Sequence, residues 1–167
     1  QTLDGESFVD VLNNQGIVPG IKVDAGTKDL ALHPGEKVTE GLDGLAPRLA
    51  EYAQMGARFA KWRAVYAITD TLPSKACFSA NAHALSRYAA LCQQHDIVPI
   101  VEPEVLIDGP HSISRSFEVT QRAQQTGFEA LSDQGVVLEG IVLKPSMVIS
   151  GSEAGNRASI GEVARQT

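Results

Sequence analysis

The run Val136-Val137-Leu138-Glu139-Gly140-Ile141-Val142-Leu143-Lys144-Pro145 decides how this chain is read. It is apolar and rich in β-branched residues, the pattern of a buried strand, expected over Val136 to Val148. It closes on a lysine, and the proline that follows cannot donate to a ladder. Lysine is among the residues least often buried, and an amine held against apolar neighbours loses part of its preference for the charged form. A neutral amine attacks ketones and aldehydes and forms a Schiff base. Taken alone, Lys144 reads more simply as a charge where a strand reaches water. The rest of the chain decides between the two.

Working outward, three further stretches carry the same signature: Ile17 to Asp24, Ala57 to Ile68 and Ile97 to Glu102. Each is short, apolar and bounded by Gly or Pro. Helical stripes fill the gaps. Leu42, Leu45, Leu49 and Tyr52 lie on one face of a first helix. Ser74 is placed to cap a second, in which Leu85, Tyr88 and Cys92 repeat the stripe. A third runs from about Ser114 to Asp133, with Phe117, Thr120, Phe128 and Leu131 facing inward and Gly135 as its stop. Gly127 weakens that helix, because glycine inside a helix costs backbone entropy. Ser159 and Glu162 form a capping box that opens a fourth.

Strands alternating with helices imply parallel βαβ units. Lys22, Lys61, Glu102 and Lys144 recur at intervals of 39, 41 and 42 residues, so each strand delivers an ionisable side chain near its C-terminal end. Catalytic residues of a (β/α)8 barrel come from those ends. A doubly wound sheet would show a Gly-rich phosphate fingerprint after its first strand, and neither that nor a P-loop pattern occurs. The expected class is therefore α/β, of the (β/α)8 TIM-barrel family. Eight units of this size would need roughly 320 residues. The 167 residues supply about four, so residues 1–167 are expected to form one partial barrel domain, truncated at both ends. Gln1 at the start, and a capped helix that stops after about two turns, fit the same expectation.

Composition narrows the function. The chain is 43% hydrophobic and 20% charged with a net charge of −6, an ordinary globular balance. The acidic excess argues against nucleic acid as a partner, since the basic footprint is missing. Cys77 and Cys92 fall in one helical segment about 22 Å apart, too far to bridge, and read as reduced packing residues of a cytoplasmic protein. No apolar run is long enough to span a bilayer, and no membrane is expected as a partner. His33, His83, His95 and His111 lack metal-ligand spacing, so no metal is expected. Residues 150–156 could touch a phosphate but read better as a plain loop.

The strand-end charges carry the chemistry. Lys61 and Arg63 alternate around Trp62, which places both on one face. Glu102 and Glu104 flank Pro103. With Lys22 and Lys144, they would meet in one mouth. Neighbouring lysines disfavour each other's protonation, and a nearby glutamate can shuttle the protons of carbinolamine formation and dehydration.

The segments Gly20-Ile21-Lys22-Val23-Asp24, Gly41-Leu42-Asp43-Gly44-Leu45, Phe59-Ala60-Lys61-Trp62-Arg63, Ile97 to Glu104, Leu138-Glu139-Gly140 and Leu143 to Val148 resemble, in order, those of class I fructose-bisphosphate aldolase. The resemblance implies a (β/α)8 barrel represented here by its third to sixth strands. It implies reversible cleavage of fructose 1,6-bisphosphate to dihydroxyacetone phosphate and glyceraldehyde 3-phosphate, without metal or other cofactor, in a protein that is a homo-oligomer at full length. Lys144 looks like the Schiff-base lysine and Glu102 like the general acid/base. Glu104 looks like the hydrogen-bonded neighbour of Glu102, Lys61 and Arg63 like substrate-contacting cations, and Lys22 like a further active-site lysine. The family's first-strand aspartate and its later phosphate-binding group have no counterpart here, so little or no turnover is expected of the isolated chain. The competing readings are another Schiff-base sugar-phosphate lyase and a non-catalytic scaffold that retains the aldolase core. Intact first-strand Asp and late-strand Arg residues in flanking sequence would separate enzyme from scaffold.

Overall fold

Strand Phe59–Tyr66 shows most directly how this sequence folds. Its alternate residues Ala60, Trp62, Ala64 and Tyr66 are buried, whereas Phe59, Lys61 and Arg63 on the other face are only partly so. The computed structural model describes all residues, Gln1–Thr167. The elements run α1 (Phe8–Asn14), β1 (Gly20–Lys22), β2 (Thr27–Asp29), β3 (Lys37–Thr39), α2 (Leu45–Gln54) and β4 (Phe59–Tyr66). They continue as α3 (Lys75–Gln94), β5 (Val98–Val105), α4 (Ile113–Asp133), β6 (Val142–Leu143) and α5 (Ile160–Gln166). Strands β1, β4, β5 and β6 form one parallel sheet in that order, and β2 and β3 form a separate antiparallel hairpin. The parallel sheet is paired in sequential order, and β1 and β6 are each paired on one side only.

The core lies between the sheet and its helices. Trp62 and Tyr88 pack with ring centroids 5.4 Å apart, and Tyr66 stacks on Phe78 at 5.2 Å. Around them sit Leu45, Leu49, Leu85, Val101 and Leu131. The Tyr88 hydroxyl donates to the Ala60 carbonyl at 2.7 Å and reaches the Ile100 carbonyl at 3.3 Å, tying β4 to β5 from the helix side. Tyr88→Phe would leave these buried acceptors short of a donor. It is expected to cost about 1–2 kcal/mol, read as a lower urea midpoint with an unchanged slope.

The helices follow their caps. Ser74 accepts the Cys77 N–H, Ser112 the Arg115 N–H and Ser159 the Glu162 N–H. Helix α4 passes unbroken through Gly127, which is buried, and Gly135 at φ +70° follows its end. Cys77 and Cys92 are buried free thiols on α3, and burial pushes each up to about 12, so both are inert as nucleophiles near neutrality.

Several expectations need correction. Phe117 is 38% exposed, because Ser116, Val119, Thr120 and Ala123 carry the inward face of α4. The stretch Val136–Val148 is not one strand: only Val142–Leu143 joins the sheet, after a single 3-10 turn at Leu138–Gly140. Gln93 of α3 is the cause. Its amide accepts the Val137 N–H at 2.9 Å and donates to the Val137 carbonyl at 2.8 Å, taking both groups away from any ladder. Ile17–Asp24 likewise shrinks to Gly20–Lys22, whereas the strand expected to stop at Glu102 continues to Val105. Helix α1, which buries no residue, and the β2–β3 hairpin are elements that the sequence reading did not place.

Candidate active site

The face of the sheet turned away from the core carries the charges. Parallel pairing puts Lys22 beside Lys61 and Arg63 beside Glu102. The β5–β6 register, extended by the bond from the Lys144 N–H to the Val101 carbonyl at 2.9 Å, puts Lys144 beside Glu102. The same extension at β1, where the Val23 N–H reaches the Lys61 carbonyl at 3.1 Å, puts Asp24 beside Arg63. One rung across four strands therefore reads Asp24, Arg63, Glu102, Lys144, with charges alternating in sign.

Glu102 is the hub. Its side chain is only 5% exposed. Oε1 accepts a short hydrogen bond from Lys144 Nζ, and Lys61 Nζ lies 2.6 Å from Oε2, a charge contact off the hydrogen-bonding direction. Burial pushes the Glu102 carboxyl up, but its contacts with Lys144 and Lys61 outweigh that and hold it below the usual carboxylate range. Glu102 is therefore an ionised carboxylate shared by two ammonium groups. Lys144 itself is 61% exposed, open to an incoming carbonyl. It borders a cleft of about 240 Å³ with Glu102, Glu104, Ser146 and Met147 among its walls. A larger cleft of about 760 Å³ follows Val38–Asp43 and Arg48, but no lysine lines it.

Arg63 donates to Glu104 through a short hydrogen bond. That bond, with the charges of Glu104, Glu102 and Asp24, holds the guanidinium above its ordinary value despite partial burial. Past Pro145 the Ser146 hydroxyl accepts the Val105 N–H at 3.1 Å, so a side chain extends the β5–β6 connection beyond the proline. The loop after β6 is pinned to the loop after β5 by bonds from Gly151, Ser152 and Glu153 N–H to the His111, Ile107 and Gly109 carbonyls. A Cβ on Gly151 would sit 2.1 Å from the Gly109 oxygen, so only glycine permits this approach.

Lys61, Glu102 and Lys144 thus form one cluster, with Arg63 and Glu104 paired beside it. Lys22 stands apart from the Glu102 hub: its Nζ turns to Asp24, at 2.5 Å from Oδ1 and 2.9 Å from the carbonyl. Asp24 is the site residue that sequence reasoning missed. Its signal was present, two positions after Lys22 and so on the same face. No group of three or more His, Cys, Asp or Glu side chains is placed to hold a metal ion, and no helix is long and apolar enough to cross a membrane.

An exposed lysine amine beside a buried carboxylate that a second lysine also contacts can form an imine with a carbonyl compound, and the carboxylate can move the accompanying protons. Residues 1–167, the whole chain, match the family model for glycolytic class-I fructose-bisphosphate aldolase. A protein of Xanthomonas axonopodis pv. citri, described as a probable fructose-bisphosphate aldolase class 1, is 56% identical over all 167 residues, which cover 50% of it. Cytosolic fructose-bisphosphate aldolase 4 of Arabidopsis thaliana is 48% identical over 167 residues, covering 42% of that protein. The structure of fructose-bisphosphate aldolase from Plasmodium falciparum, in complex with TRAP and a small-molecule inhibitor, superposes with a TM-score of 0.97 at 46% identity. That match covers 100% of this chain and 49% of the other. The chain spans about half the length of the relatives it matches, with the parallel strands of their TIM-barrel fold and an unbroken family match from end to end, and it belongs to the class-I fructose-bisphosphate aldolase family.

Proposed function

We propose that the protein carrying this chain cleaves fructose 1,6-bisphosphate reversibly to dihydroxyacetone phosphate and glyceraldehyde 3-phosphate through a lysine imine, as a cytoplasmic enzyme of glycolysis and gluconeogenesis. The observation that carries this reading is the Glu102 carboxylate held between Lys144 and Lys61. Cytosolic relatives from three plants support the compartment.

In this mechanism the Lys144 ammonium passes a proton to Glu102 and its free amine attacks the C2 ketone. Glu102 returns a proton to the carbinolamine oxygen, and water leaves. The C4 hydroxyl then gives its proton to a carboxylate that the resemblance places on the barrel's first strand, outside this chain. The iminium accepts the electron pair of the breaking C3–C4 bond, the aldehyde departs, and an enamine remains. Protonation at C3 and addition of water release the ketone product and free Lys144. Lys61 stabilises negative charge near the reacting carbons. Arg63, held by Glu104, and Lys22 contribute positive charge for an anionic substrate. The complete protein is a homo-oligomer in this reading. The 167-residue chain alone is expected to show little or no steady-state cleavage, because its sheet is open at both edges and half of the substrate's surroundings are missing.

The test uses a full-barrel protein that contains this chain. It is incubated with dihydroxyacetone phosphate, reduced with borohydride and mapped by mass spectrometry. The adduct is expected on Lys144. Labelling of any other lysine in its place would overturn the assignment.

A further inference from the structure

Asp24 is a buried carboxylate on the charged face, and none of the steps above uses it. Its side chain is 3% exposed, whereas the Lys22 side chain that it binds is 56% exposed. Oδ1 accepts both the Lys22 ammonium and the Gly26 N–H at 3.0 Å, and Oδ2 is buried with no hydrogen-bond partner. The backbone here is clamped from three sides. The Arg48 guanidinium donates to the Val23 carbonyl at 3.1 Å and the Gly41 carbonyl at 2.8 Å. The Ala25 N–H reaches the Glu40 carbonyl, and the Glu40 N–H reaches the Gly26 carbonyl. A Cβ on Gly41, at φ +127°, would lie 2.7 Å from the Ala25 nitrogen and 3.2 Å from the Asp24 Cα, so the loop rests directly on this strand end.

A buried carboxylate with one idle oxygen is costly unless nearby cations offset it. Lys22 binds it directly, and Arg63 stands beside it in register. The consequence for Lys22 is organisational. A free lysine side chain loses much rotamer freedom when it binds an anion, and a lysine already held in place loses less.

We propose that Asp24 is a positioning residue that holds the Lys22 ammonium ready at the mouth of the sheet for an anionic group of the substrate. This rests on the function proposed above. Lys22 stands apart from the Lys144–Glu102 pair, so losing its support should weaken substrate and transition state alike and appear in KM rather than kcat.

The experiment compares steady-state cleavage of fructose 1,6-bisphosphate by the full-barrel protein and its Asp24→Asn, Lys22→Met and double variants. Asp24→Asn is expected to raise KM about tenfold with kcat within about threefold. Lys22→Met should raise KM at least as far, and the double variant should be no worse than Lys22→Met, because both changes act through one ammonium. Asp24→Glu, which keeps the charge, should recover part of the loss. Asp24→Ser retains an acceptor for the Gly26 N–H, so it reads the same KM rise if Asp24→Asn folds poorly. An unchanged KM in Asp24→Asn and Asp24→Ser, or effects that multiply in the double variant, would overturn the proposal. Absence of turnover in the unmodified barrel would strike the proposed function itself. Normal turnover with an indifferent Asp24 would strike this inference alone.

Discussion

Lys144→Met in the full-barrel protein is expected to abolish cleavage, lowering kcat by about ten-thousandfold or more, because it removes the nucleophile of the covalent step. Methionine keeps the unbranched apolar stem and removes the nucleophile. The side chain is largely exposed, so the thermal midpoint should move little. Borohydride with dihydroxyacetone phosphate should then add no mass, whereas the parent protein gains one adduct. Binding of the sugar phosphate should survive, since Lys22, Lys61 and Arg63 remain. A Lys144→Met protein that still turned over at a hundredth of the normal rate would refute imine formation at this residue.

Glu102→Gln is the second large effect. Glutamine preserves the shape but carries no charge and moves no proton. General acid–base catalysis is worth about a hundred- to ten-thousandfold, and a kcat loss of about a thousandfold is expected. The rate of imine trapping should fall with kcat, because both proton transfers of imine formation pass through Glu102. The variant also has a signature in stability. The Glu102 carboxyl is held below its ordinary value in the folded protein. It therefore stabilises the fold above the unfolded value of about 4.3, and that contribution is lost as pH falls through the lower, folded value. Glu102→Gln should flatten this acid limb of the melting curve while leaving Lys144 and Lys61 without their shared anion. A normal imine-trapping rate in the variant would remove Glu102 from the mechanism.

How far the sequence could be read depended on where each residue finds its partner. Strand β4 was legible because its two faces differ residue by residue, with Trp62 buried between Lys61 and Arg63. The caps at Ser74 and Ser159 were legible because they bond within three residues. The stretch after Val136 was misread because the group that diverts it, Gln93, lies 44 positions away and leaves no mark on local periodicity. The hairpin of β2 and β3 escaped because its strands are three residues each and mostly exposed, with little alternation to detect. In the site, spacing along the chain brought Lys61, Glu102 and Lys144 together on one face. The common level expected for Lys22, Lys61, Glu102 and Lys144 did not hold, because pairing sets Lys22 and Lys61 two residues before the rung of Glu102 and Lys144. The hub role of Glu102 needed the register between strands. Asp24 was overlooked because it looks like an ordinary strand-end aspartate until pairing sets it beside Arg63.

That register has an evolutionary consequence. Within β4, from Phe59 to Ala64, the residues buried toward the helices and the residues of the charged face alternate one by one. A single inserted or deleted residue inside the strand would turn Arg63 toward Tyr88 and leave Trp62 facing water. Both the fold and the chemistry would fail at the same stroke, with no intermediate for selection to rescue. Substitutions can accumulate along these strands, but changes of length can be absorbed only in the connections, such as the exposed loop around Leu32. The segments that carry the chemistry are therefore the ones whose residue count is least free to drift.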